Sequence, residues 1–252
     1  MQSQITKELI SERAFQLGAN LCGVGDLTAD QAFIQENYGD YCAHFPRAVS
    51  VAIFFPKEII HEQQVGPTHS YEYFYNTLNR QLDNIGLIIS VMLQNAGYRA
   101  YPVPTSDYRQ DARGENLQKL VAENHTATLP RIGTERMGMF SHRLAAREAG
   151  FGWIGKSCNL INPTVGPCLR LTTVLTDAPL PADSPVPNRC GSCTRCRDAC
   201  PAKAISGRLF NPAESVTDRL DRGKCYGQLQ AMGQVFGQST CALCLAVCPW
   251  GH

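Results

Sequence analysis

Eight of the chain's 12 cysteines fall between Cys190 and Cys248, and their spacing restricts the fold more than any other feature. The first four read Cys190-Gly-Ser-Cys193-Thr-Arg-Cys196-Arg-Asp-Ala-Cys200-Pro201, the pattern C-x2-C-x2-C-x3-C-P. Cys225 follows alone, and then Cys241-Ala-Leu-Cys244-Leu-Ala-Val-Cys248-Pro249 repeats the C-x3-C-P ending. Thiols this dense serve either as disulfides in a small secreted domain or as metal ligands in a reducing compartment. The N-terminus, Met1-Gln-Ser-Gln-Ile-Thr-Lys-Glu, is polar and lacks the apolar stretch of a signal peptide, so the expected setting is the cytoplasm and the expected role is ligation.

The spacing agrees with that role. Three thiolates two residues apart let a tight loop wrap one face of an iron–sulfur cubane, and the proline redirects the chain after the fourth. Eight cysteines make two sets of four, the ligand count for two 4Fe–4S clusters. In two-cluster ferredoxins the fourth cysteine of the run ligates the other cluster. On that pattern Cys190, Cys193, Cys196 and Cys248 hold one cluster, and Cys200, Cys225, Cys241 and Cys244 hold the other. Zinc is the alternative, since four-cysteine zinc sites also use C-x2-C pairs; the doubled C-x3-C-P ending argues against it.

The preceding residues read as a layered domain. Ile5, Leu9, Ile10, Ala14 and Leu17 recur at helical spacing, with Gly18 as a stop. Leu21 to Gly25 suggests a short strand or turn. Ala48 to Phe55 is almost continuously apolar, as a strand covered on both faces would be. Tyr71 to Ala96 predicts a long helix with Tyr75, Leu78, Leu82, Ile85, Ile89 and Met92 on one side, ended by Gly97 in a left-handed cap. Tyr98 to Pro104 reads as a strand, Gly114 to Asn124 and Phe140 to Ala149 as helices, and Leu169 to Thr176 as a β-rich strand. Helices and strands alternate without a repeat, so residues 1–180 are expected to form one α/β or α+β domain. A proline-rich stretch over 178–188 reads as a linker to residues 181–252. The formal charge is +1 overall, which is not that of a chain drawn to nucleic acid by its total charge. Residues 188–252 carry 8 Lys+Arg against 4 Asp+Glu, a mild excess that suits a module of thiolates. No apolar run reaches the roughly 18 residues of a membrane helix, and no membrane partner is expected.

Gly150-Phe-Gly152-Trp-Ile-Gly155-Lys156 satisfies G-x-G-x-x-G, but the dinucleotide fingerprint needs a strand before it and a helix after it. Here the order is inverted, which argues against a nicotinamide site. Read as helix, glycine-rich turn and strand, Ala149-Gly-Phe-Gly-Trp-Ile-Gly-Lys-Ser resembles the A-G-L-G-W-I-G-K-N block of the epoxyqueuosine reductases. Leu175-Thr-Asp-Ala-Pro-Leu and the terminal Cys244-Leu-Ala-Val-Cys-Pro-Trp resemble that family too, over about residues 135–250. The resemblance implies a nitroreductase-like, corrinoid-binding α/β domain (1–180), related to that of the reductive dehalogenases. It also implies a ferredoxin-like domain with two clusters (181–252). An oxidoreductase follows: a low-potential donor of ferredoxin or flavodoxin type feeds the clusters, which reduce bound cobalamin for attack on a substrate, either a small molecule or tRNA. FMN is the alternative in the same layered fold, and a non-enzymatic electron carrier or corrinoid-handling protein is the alternative function.

Carried over by position, Gly152, Trp153, Ile154, Gly155, Lys156 and Ser157 would lie against the corrin, with Lys156 bonding an amide or a phosphate. The family's catalytic aspartate, about seventeen residues before the tryptophan, falls on Arg136 in an ungapped match, beside Glu135. The candidates for proton delivery or substrate contact are therefore His142, Arg136, Glu135 and Tyr101. Histidine can donate a proton near neutral pH, and arginine pairs with anions. Tyr71, Tyr73 and Tyr75 sit at a spacing that favours ordinary packing, and Cys22, Cys42, Cys158 and Cys168 read as small apolar residues.

Overall fold

The computed structural model describes residues 5–105, 139–212, 214, 216–237 and 239–251. Elements in chain order are α1 (Lys7–Gln16), β1 (Leu21–Asp26), α2 (Gln31–Tyr38), α3 (Asp40–Ala43), β2 (Arg47–Phe54), α4 (Lys57–His61), α5 (His69–Asn95) and β3 (Ala100–Val103). They continue with α6 (His142–Glu148), β4 (Trp153–Ile154), β5 (Leu160–Ile161), β6 (Leu169–Thr176), α7 (Arg195–Asp198), α8 (Arg222–Phe236) and α9 (Leu243–Ala246). The helix expected over 114–124 lies outside the described residues.

A four-stranded sheet of order β1-β2-β6-β3 organises the larger part, and each of its pairings is antiparallel. The apolar run of β2 is explained by its place inside this sheet: six successive residues are buried, because both faces are covered. Val49, Val51, Ile53 and Val174 meet α1 and α5 on one face. Ala48 and Leu175 meet Phe140, Leu144 and Ala145 at α6 on the other. β3 is an edge strand, and the edge is where Pro102, which has no N–H to give a ladder, can sit.

α5 supplies the largest share of the core. Leu82, Ile85, Ile89 and Leu93 are all fully buried, each contributing roughly 2 kcal/mol of apolar transfer free energy. Thr68 caps its start by accepting the Tyr71 N–H. At its end Gly97 adopts φ +89°, its N–H bonds to the Gln94 carbonyl, and Tyr98 bonds to the Leu93 carbonyl. That is the left-handed closure the glycine predicts, with Tyr98 packed against the same core as Leu93.

Past β6 the proline-rich stretch is extended but not slack. Ala178 and Leu180 are buried in the core, and the Leu180 carbonyl accepts from Arg47 Nε. Asp183 acts as a one-residue strand on the free edge of β1: its N–H donates to the Val24 carbonyl at 2.7 Å, and its carboxylate accepts the Val24 N–H at 2.9 Å. Lys7 pairs with the other carboxylate oxygen. The edge strand is thus covered. The expected linker is a moored strap, because its few polar and apolar side chains find partners on the sheet.

The cysteine-rich part has little apolar core of its own. Cys200, Ala204 and Ile205 are its buried cluster, ringed by Cys196, Leu220, Cys225 and Cys244, and α8 buries no residue. No described helix is long and apolar enough to cross a membrane.

Candidate functional site

The glycine-rich segment forms a small hairpin, β4 paired antiparallel with β5, immediately after α6. Helix first and hairpin after is the reverse of a dinucleotide-binding turn. The hairpin is the seat of the first cysteine loop. Trp153 is buried at 2% exposure and its indole N–H donates to Cys190 Sγ at 3.4 Å. Lys156, buried at 8%, donates from Nζ to the carbonyls of Gly191 (2.8 Å) and Cys193 (2.9 Å). Asn188 bonds the Ile154 carbonyl, and the Asn159 amide reaches Cys244 Sγ at 3.7 Å. Trp250, next to the last C-P, packs edge-on against Trp153 with centroids 4.9 Å apart.

The glycines are spent on this packing. A side chain at Gly152 would collide with the Ile161 carbonyl, one at Gly155 would lie 2.7 Å from the Ile161 side chain and 3.3 Å from Cys190 Sγ, and one at Gly150 would lie 2.8 Å from the Ser184 carbonyl. Close approach does explain the glycines, as expected, but the approaching group is protein. Lys156 Nζ is hydrogen-bonded to the cysteine loop.

The eight thiols fall into two neighbourhoods. Burial pushes Cys248 up to about 11, and Cys190, Cys196 and Cys193 add like-charge repulsion. Cys196 is raised by burial and by Cys190 and Cys193. In the second neighbourhood burial pushes Cys244 to about 12, reinforced by Cys241, Cys225, Cys196 and Cys200. Cys225 is raised by burial and feels Cys200 and Cys241, and Cys241 is raised by burial and feels Cys200. These charges thus couple Cys248 to Cys190, Cys193 and Cys196, and couple Cys244 to Cys241, Cys225 and Cys200 as well as to Cys196. A further backbone donor, the Ala204 N–H, points at Cys200 Sγ at 3.4 Å. Among the described residues no three ligand-type side chains converge on a single ion.

His142 opens α6 behind the Ser141 cap. Its Nδ1 lies 2.9 Å from Thr173 Oγ1 and its Nε2 lies 3.0 Å from the Pro104 carbonyl. A carbonyl only accepts, so Nε2 carries the hydrogen and Nδ1 accepts from the threonine. Burial, opposed by Pro104 and reinforced by Arg170 and Arg143, lowers the ring to about 4. His142 is a neutral latch between β3, β6 and α6. The structure does not bring it to the hairpin. Tyr101 lies on β3 opposite Leu175, its ring edge-on to Tyr41 at 5.4 Å. Arg136 and Glu135 lie outside the described residues. Tyr71 stacks on Phe55 and Arg170 lies over Tyr75, whereas Tyr73 is exposed. Cys42, Cys158 and Cys168 are buried and Cys22 is half-buried.

Missing from the residue pattern are Arg143 and Arg219, which line a cavity between α6 and residues 210–219. Nothing in their local sequence marks them, whereas Trp250 had a signal in its C-P-W context.

Fold and site together define a class: an antiparallel sheet domain joined to a double-cluster iron–sulfur module. Residues 189–251 match the family described as a 4Fe-4S double cluster binding domain. The chain is epoxyqueuosine reductase-like. It is 35% identical over 201 residues to an epoxyqueuosine reductase of Leadbetterella byssophila, covering 71% of this chain and 65% of that one. It therefore spans less than two thirds of the length of the curated relatives it matches. A catabolic reductive dehalogenase in complex with 3-bromo-4-hydroxybenzoic acid aligns over 100% of this chain and 33% of its own, at 18% identity and TM-score 0.69. Another such structure, titled for B12-dependent dehalogenation, aligns with the same identity and coverage at 0.65. A crystal structure of an epoxyqueuosine reductase aligns at 20% identity and TM-score 0.56, covering 97% of this chain and 65% of that one. One holding a tRNA-Tyr epoxyqueuosine-modified stem loop aligns at 21% and 0.50, with the same coverage. At these identities the structures establish a shared fold.

Proposed function

We propose that the chain is an iron–sulfur oxidoreductase in which a low-potential donor, of ferredoxin or flavodoxin type, feeds two 4Fe–4S clusters held by residues 181–252. The clusters in turn feed an acceptor bound against residues 1–180. The observation that carries the reading is the cysteine-rich module itself: residues 189–251 match a 4Fe-4S double cluster binding domain, and its sulfurs receive hydrogen bonds from Trp153, Asn159 and Ala204. The donor set fits cubanes: Trp153, Asn159 and the Ala204 N–H aim hydrogen at cysteine sulfurs, the kind of contact that stabilises cluster thiolates. Bound clusters would supply one-electron steps. The protein's part is to hold the cysteine loop by Lys156, exclude water with Trp153 and Trp250, and set the potential by hydrogen bonds to sulfur. A reducing compartment such as the cytoplasm suits this reading, because it keeps the thiols free to ligate. Anaerobic reconstitution followed by iron analysis and electron paramagnetic resonance (EPR) tests it. Roughly 8 irons per chain and two interacting reduced clusters are expected; recovery of zinc would overturn it.

The acceptor is a separate matter. Corrin comes to this chain from the B12-dependent dehalogenase, and the hairpin assigned to it does not fit. Its glycine faces are filled by Ile161, Ser184 and Cys190, and Lys156 is engaged. We therefore route no step through a corrin, or through FMN. A base-off cob(II)alamin signal on mixing with cobalamin would restore the corrin. The named relatives favour a specific substrate, epoxyqueuosine in tRNA. Complementation of a queuosine-deficient strain tests that proposal, with restored queuosine in tRNA as the supporting result. Cluster reduction without turnover of any substrate would support an electron carrier instead.

A further inference from the structure

The cavity that α6 forms with Phe210, Pro212, Glu214 and Arg219 has a volume of about 70 Å³. That is room for a single small oxyanion group or a few waters, well below the size that encloses a whole small-molecule ligand. Two guanidinium groups, Arg143 and Arg219, line it, and the mechanism above uses neither.

Arg219 is only 4% exposed. One terminal nitrogen donates to Cys158 Sγ at 3.7 Å, and its carbon lies 4.8 Å from the centroid of Phe210. Neither neighbour is an anion: Phe210 is uncharged, and burial holds the Cys158 thiol above its usual range. Among the described residues its Nε has no partner, and a buried nitrogen of Arg222 has none either. The carboxylates at the cavity do not answer this charge. Glu214 is paired with Arg208 at 2.5 Å. Burial favours the neutral form of Asp30, whose own cationic neighbour is Arg147. A guanidinium taken so far out of water is retained when an opposite charge meets it.

We propose that this cavity is an oxyanion site, which takes the carboxylate or phosphate group of a small ligand between Arg219 and Arg143. The fork of a guanidinium matches two oxygens of either group.

The test is calorimetric titration of the reconstituted protein with inorganic phosphate and, separately, with benzoate; the tighter of the two identifies the source chemistry. Arg219→Met, which keeps the bulk and removes the fork, is expected to weaken that binding at least tenfold while leaving the iron content intact. In anion-free buffer its Tm is expected to equal or exceed that of the parent, and the rise in Tm on adding the anion is expected to vanish. Arg143→Gln carries the same titration should the methionine variant fail to fold. Absence of saturable binding by both anions, or undiminished binding in the variants, overturns the proposal. A lower Tm in Arg219→Met together with no anion dependence in the parent also overturns it, because Arg219 would then be structural. Iron analysis on the same samples separates this outcome from a failure of the cluster reading.

Discussion

The two parts of this molecule solve the problem of staying folded in different ways. The sheet domain buries long aliphatic side chains: Leu82, Ile85, Ile89 and Leu93 from α5 close over Val49, Val51 and Val174. The cysteine module's own cluster buries an alanine, an isoleucine and a single thiol, Cys200, and its longest helix, α8, buries nothing. A small unit without an apolar core needs a metal or cross-links to hold it. The lesson is that one domain carries its stability in carbon and the other borrows it from what the sulfurs bind.

The largest expected effect exploits that difference. Chelating the iron from the reconstituted protein should abolish amide protection across residues 189–251 while β2 and β6 stay protected, since metal binding is folding free energy in such modules. Hydrogen exchange read by mass spectrometry checks it, and equal loss in both parts would break the contrast. The converse experiment is Ile89→Ala. It should cost about 3 kcal/mol of sheet-domain stability in denaturant titration, with iron content unchanged in the folded protein.

Intermediate effects fall on the junction. Lys156→Met strands the Gly191 and Cys193 carbonyls, at a cost of about 2 kcal/mol, and should lower iron retention more than sheet stability. His142 supplies a pH dependence that belongs to the sheet side alone. Its folded value of about 4 lies below the ordinary 6.5, so the unfolded chain takes up the proton first. The stability it contributes is complete above pH 6.5 and is lost as pH falls toward 4. His142→Gln should flatten the unfolding free energy across that window, by less than about 3 kcal/mol. Smallest is Trp153→Phe. Losing one N–H donor to Cys190 should make the first centre harder to reduce by roughly 20–40 mV, read by potentiometric EPR.

Much of this was legible beforehand, for identifiable reasons. β2 and β6 announce themselves because a strand covered on both faces must be apolar throughout, and α5 because its stripe and Gly97 agree on where it runs and stops. The cysteine spacing is legible because a cubane dictates it. What stayed hidden depends on partners distant in the chain. Asp183 resembles a linker aspartate until β1 is seen to have a bare edge. Lys156 resembles a ligand-binding lysine until its carbonyl partners, more than thirty residues on, are in place. Arg219 resembles a surface arginine until Phe210 and Cys158 close around it.

The Asp183 strap has a consequence for how the redox module can move. A module on a slack tether would sample a range of separations from its neighbour, and its transfer rates would be averaged over them. Here the connecting chain is fastened at Leu180, at Asp183 and again at Asn188, on three different elements. The separation between sulfur ligands and sheet is thereby set by hydrogen bonds between side chains and backbone, and swinging the module outward would first require peeling the strap from a strand's edge.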